Sequence, residues 1–152
     1  MKKTPVPKKI TRKKKPLSDK YLMSLWRKAV LLANGNRCFF CSNPNVDELE
    51  CHHIVHKSTY ILRWDWRNGI SACNCINQYN RNKYGLFIGT CHQYAVTQSG
   101  RIQIFMRHEY IDYITRWEKT TLKAHLAETG MTKEEFRRQV AEELKSKIRE
   151  YV

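Results

Sequence analysis

The segment that decides the fold reads Cys38-Phe39-Phe40-Cys41, then Glu50-Cys51-His52-His53, then Asn68, then Cys73-Asn74-Cys75-Ile76-Asn77. Two cysteine pairs flank a histidine pair, and asparagines follow at two later points. Thiolates suit a structural zinc ion, whereas imidazole and amide oxygen beside open positions suit a catalytic divalent ion. Cys38-x-x-Cys41 reads as a two-thiolate knuckle, and Cys73 with Cys75 can complete a tetrahedral site; Cys51 and Cys91 are spare candidates for the fourth ligand. Few apolar residues lie between positions 38 and 77, so a core this short calls for a metal staple. The alternative is four reduced, half-buried thiols. Adjacent histidines on a strand point to opposite faces, so His52 and His53 act together only where the chain bends or ends. One would hold a metal and the other, neutral near pH 7, would take a proton from water.

Working outward, Ser18 is placed to cap a helix running to about Ala33, with Leu22, Leu25, Trp26, Ala29, Val30 and Leu32 at helical spacing and Asn34-Gly35 as its end. Arg37 to Cys41 predicts a short strand entering the knuckle, and Val46 to His53 a second strand. A helix is expected to start near Ser71 and to carry Asn77. Ile102, Ile104 and Met106 alternate like a strand, and 109–127 follow a helical pattern. Thr132 with Glu135 forms a capping box, and Met131 with Phe136 a hydrophobic staple, at the start of a last helix. Its narrow stripe, Phe136, Val140, Leu144 and Ile148, packs either on the domain or on a second copy of the chain.

The formal charge is +14 over 152 residues. Such a field attracts polyanions, nucleic acid above all, through phosphate contacts and counterion release. A membrane surface is the rival partner, but no apolar run approaches the roughly 18–20 residues needed to span one. The N-terminus lacks the apolar core of a signal peptide, so a cytoplasmic location is expected, where paired cysteines are more often metal ligands than disulfides. A lysine-rich, disulfide-bonded secreted protein is the alternative. The organisation expected is a disordered basic arm over 1–17, a core with its N-terminal helix over 18–107, and a helical extension over 108–152.

Glu50-Cys51-His52-His53-Ile54, Asn68, and Asn77 after the second cysteine pair resemble the HNH (ββα-metal) endonucleases, in the variant ending in Asn. His53, Leu62-Arg63-Trp64-Asp65, Asn68, Cys73 and Asn77 are most similar to the phage NinG (Rap) recombination nucleases. Ile76 stands where that family has the last cysteine of its second knuckle, with Cys75 one place early. The resemblance implies an α+β fold with a small zinc-stapled ββα-metal core flanked by N-terminal and C-terminal helices. It implies His53 as general base, Asn68 as the residue that holds the loop and orients it, and His52 and Asn77 as ligands of Mg2+ or Mn2+. A structural Zn2+ would be held by Cys38, Cys41, Cys73 and Cys75. Arg63, Arg67, Trp66, Arg81 and Lys83 are the candidate DNA contacts, Trp66 by stacking on an unpaired base; Trp64 reads more readily as core filling. The activity implied is hydrolysis of phosphodiesters in branched or recombination-intermediate DNA in the cytoplasm of a bacterial host, by a possible homodimer. A site-specific homing or nicking enzyme of the same class, and a non-catalytic zinc-dependent nucleic-acid-binding module, are the alternatives.

Overall fold

The computed structural model describes residues 14–74 and 89–152. The first helix, α1 (Asp19–Ala33), starts where the sequence places it: the Ser18 side chain accepts from the Tyr21 N–H at 3.1 Å, and Asp19 favours the positive end of the helix dipole. Leu22, Trp26, Ala29 and Val30 form its buried stripe. Gly35 and Asn36 then turn with φ of 67° and 53°, and their N–H groups return to the Leu32 and Leu31 carbonyls.

The strands β1 (Leu49–His53) and β2 (Gly69–Cys73) form an antiparallel pair, in register from Leu49 opposite Cys73 to His53 opposite Gly69. Asn68 closes the intervening loop from inside. Gly69 lies under α1: a Cβ there would sit 2.5 Å from Val30 Cγ2 and 2.8 Å from Trp26 Cζ2, so only glycine allows this approach. Every residue of β2 is buried. That is why its period-two signal is absent and why the helix expected from Ser71 is instead a strand through Cys73. The strand expected over Arg37–Cys41 is also absent. Those residues curl as a turn, with Ser42 N–H bonded to the Cys38 carbonyl, and only Phe39 N–H reaches across to the Ser71 carbonyl.

Among the described residues five more helices follow: α2 (Cys91–Tyr94), α3 (Gln98–Arg107), α4 (Ile111–Trp117), α5 (Leu122–Thr129) and α6 (Lys133–Arg149). The alternation at Ile102, Ile104 and Met106 belongs to α3, not to a strand. The Thr97 side chain caps it at Gly100 N–H, Ile104 is buried, and Ile102 and Met106 face outward. The helical pattern over 109–127 is split into α4 and α5. The capping box of Thr132 and Glu135 opens α6 as expected.

Two apolar clusters hold this α+β architecture. One gathers Phe40, Leu49, Ile70, Ala72, Tyr94, Ala95 and Ile104 around four cysteines. The other joins α1 to α6 through Leu22, Trp26, Trp64, Ala141 and Leu144, with Val140 and Ile148 packed against it. The stripe of the last helix therefore packs within the chain. Buried Arg137 locks the two helices: it donates to the Leu17 carbonyl, to Asp19 at 2.7 Å and to the Tyr60 hydroxyl at 2.8 Å, with its guanidinium over Trp64. No helix among the described residues is long and apolar enough to cross a membrane.

Candidate functional site

Four buried cysteines meet where the 38–43 turn, the end of β2 and the start of α2 converge. The Sγ atoms of Cys38, Cys41, Cys73 and Cys91 all lie within 4.8 Å of one another. A tetrahedral zinc with Zn–S bonds of about 2.3 Å needs sulfurs roughly 3.8 Å apart. The Cys41–Cys73 separation of 3.5 Å is close to that. The knuckle supplies N–H groups as well as sulfur, since Cys73 N–H points at Cys38 Sγ at 3.3 Å. The Cys91 thiol and these neighbouring N–H groups favour the thiolate of Cys38, which is lowered to about 5; the same contact pushes the Cys91 thiol up. A dication here would favour the thiolate form of all four. The set could hold a structural metal such as zinc.

Cys91 stands in this cluster with three of the four thiols expected from sequence. The fourth expected ligand, Cys75, lies outside the described residues, as do Asn77, Arg81 and Lys83. Among the described residues Cys51 is in no disulfide. It leans on the Arg27 carbonyl from the α1 side of the sheet, and burial raises its thiol to about 11. Sequence reasoning ranked Cys91 as a spare ligand because its distance along the chain hides it. The Thr90–Gln93 capping box, readable as a helix start beside a cysteine, is the signal that could have promoted it.

His53 ends β1 against α1. Its ring stacks on Trp26 with centroids 4.0 Å apart and planes 7° from parallel. Its Nε2 lies 2.8 Å from the Arg63 carbonyl. A carbonyl only accepts, so Nε2 carries the hydrogen and Nδ1 keeps its lone pair. Burial lowers the pKa of His53, which keeps the ring neutral at pH 7. Asn68, wholly enclosed, organises the same loop. Its Oδ1 accepts from Val55 N–H at 2.7 Å, and its Nδ2 donates to the Val55 and Leu62 carbonyls at 2.9 and 3.1 Å. Its own carbonyl accepts from Ile54 N–H. The side chain thus fixes the segment that leaves His53 and the turn that brings Arg63 to it.

His52 faces the other side of the sheet. Its ring meets His92 edge-to-face, with centroids 5.6 Å apart. Burial, with a smaller contribution from His92, lowers its pKa to about 4. Glu50, on the same face, lies 3.5 Å from His92 Nδ1 and accepts from Asn74 Nδ2 at 2.9 Å. The sequence reading set Cys91-His92 between a site contribution and a structural role, and favoured the structural one.

The expected DNA contacts divide. Arg63 is partly exposed beside His53; its Nε donates to the Lys57 carbonyl, and its guanidinium covers Tyr60 and Trp64. Arg67 makes a bidentate pair with Asp65 at 2.8 and 2.9 Å and lies 3.7 Å over the Tyr113 ring, so its guanidinium is spent on the turn. Trp66 is half-buried between Tyr110 and the Lys147 ammonium. Trp64 is buried in the α1–α6 core, as expected of a filler. Comparison with protein-family models, with curated proteins and with solved structures found no match to this chain.

Proposed function

We propose that the protein is a metal-dependent DNA endonuclease of the HNH type, acting on branched or recombination-intermediate DNA. The observation that carries this reading is the setting of His53: a neutral imidazole at a strand end, stacked on Trp26, with Nε2–H spent on a backbone carbonyl and Nδ1 left to accept. A partner that fixes the tautomer in this way leaves a defined ring nitrogen free to accept, as a general base requires.

In the reaction, His53 Nδ1 takes a proton from a water molecule as its oxygen attacks phosphorus in line. The bond from phosphorus to the 3′ oxygen breaks, leaving a 5′-phosphate and, after protonation of the leaving oxygen, a 3′-hydroxyl. Asn68 keeps the His53–Arg63 loop in one geometry, which saves the entropy of finding it at each turnover. A divalent cation, Mg2+ or Mn2+, held by His52 with Asn77, would stabilise charge on the phosphate and the leaving oxygen. Arg63 and Lys57, neighbours beside His53, would hold the flanking phosphates. The cysteine cluster serves the fold, and a zinc ion there would fasten the strand pair to α2.

The test is cleavage of a synthetic four-way junction and a matched linear duplex in Mg2+ or Mn2+, comparing wild type with His53→Ala at equal DNA binding. Junction-selective cutting that disappears in His53→Ala is expected. Equal cutting of both substrates would shift the reading to a homing or general nicking enzyme. Tight binding without cutting in either protein would leave a zinc-dependent binding module in its place.

A further inference from the structure

We propose that His92 is a ligand of the divalent cation at His52, with Glu50 as the carboxylate that orients it. The inference rests on the nuclease reading for its purpose, but it is tested without cleavage. Glu50 and His52 are two apart on β1 and so project from one face. The residues opposite them there, Ala72 and Ile70, carry no donor atom. His92 reaches this face from α2.

A metal–nitrogen bond of about 2.1 Å puts an ion roughly 3.2 Å from each ring centre, so two imidazoles sharing one at a near-tetrahedral angle sit roughly 5 to 5.5 Å apart. The observed 5.6 Å is close to that span. Glu50 Oε2 stands on the Nδ1 side of His92, and Asn74 holds the other carboxylate oxygen. With that carboxylate 3.5 Å from Nδ1, Nε2 would be the nitrogen left for the ion, as in the carboxylate–histidine–metal arrangement.

The position of His92 has a cause one residue earlier. Cys91 is buried in the thiol cluster, and the Thr90–Gln93 capping box fixes the turn on which both residues sit. The structural cluster thus delivers a ligand from outside the 38–77 segment to the cation site. A histidine directly after a zinc-binding cysteine would be held by that zinc.

The experiment uses the full chain loaded with zinc. Mn2+ is titrated while free Mn2+ is followed by electron paramagnetic resonance and the imidazole Cε1–H signals by NMR. One Mn2+ per chain is expected, broadening the His52 and His92 signals together. His92→Ala should weaken binding by at least about tenfold, whereas His56→Ala, an exposed histidine outside the pair, should not change it. Retained zinc content and an unchanged circular dichroism spectrum in His92→Ala separate ligand loss from misfolding; if that variant fails to fold, His92→Gln and the broadening pattern of the wild type decide. Wild-type affinity in folded His92→Ala or His92→Gln, broadening of His52 alone, or no Mn2+ bound by the wild type would overturn the proposal. His92-dependent binding in a protein that cuts no DNA would sink the nuclease reading and leave this one standing.

Discussion

Asn68 is enclosed, and its amide is fully used by Val55 and Leu62. Asn68→Ala leaves one N–H and two carbonyls buried without these partners. The expected cost is about 3 kcal/mol, read as a drop in the urea midpoint at unchanged slope. Trp26→Leu keeps an apolar side chain on α1 but removes the surface under His53 and the indole bond to the Asp65 carbonyl. If His53 is the base, cleavage falls by roughly 100-fold while DNA affinity stays near wild type, measured by single-turnover kinetics beside a binding titration. Asn68 was legible through the resemblance, because its place between the histidines and the second cysteine pair is a spacing. Trp26 was legible only as core. That its ring carries a histidine 27 positions on leaves no period in the chain, and neither does a side chain that bonds to backbone.

Among the elements, α1 and the start of α6 were readable to within a residue because their caps are local chemistry: Ser18, and Thr132 with Glu135. β2 was not, since a strand covered on both faces has no alternation. The residues of α3 misled because positions 102, 104 and 106 fit a strand's period while belonging to a helix that buries only Ile104 and Gly100. The packing of α1 on β2 supports a prediction of its own. Gly69→Ala drives a methyl group into Val30 and Trp26; the expected loss is about 1–3 kcal/mol, seen as a lower melting temperature. The α1–α6 lock gives another. Arg137→Ala leaves the Tyr60 hydroxyl and the Leu17 carbonyl without their donor and empties space beside Trp64, while exposed Asp19 returns to water. A loss of about 1–3 kcal/mol is expected in equilibrium unfolding.

For the molecule as a whole, two levers act on all the elements at once. A strong chelator that empties the thiol cluster should remove the anchor shared by the 38–43 turn, β2 and α2. Loss of near-ultraviolet dichroism, restored by added Zn2+, is the expected outcome. The second lever is pH. His108, whose Nε2 donates to the Arg67 carbonyl, is held below the ordinary imidazole pKa of about 6.5 by burial, as are His52 and His53. For a lowered histidine the unfolded chain binds the proton first. Stability is therefore complete above about pH 6.5 and is lost as pH falls from there towards the folded-state values. Melting temperature at fixed zinc should drop between pH 7 and 5, and His108→Gln should flatten part of that slope. At this scale the sequence disclosed the basic charge and the thiol cluster's existence, but not its fourth member in the structure. Cys91 lies 18 positions beyond Cys73, and only folding makes them neighbours. The pairing of α1 with α6 has a consequence in time. Trp26, the surface beneath His53, is enclosed by a helix made more than one hundred residues later, Lys133–Arg149. A nascent chain carrying both histidines therefore still lacks the helix that packs with Trp26, the ring on which His53 stacks. That packing arrives late in synthesis, when the last helix is free to dock.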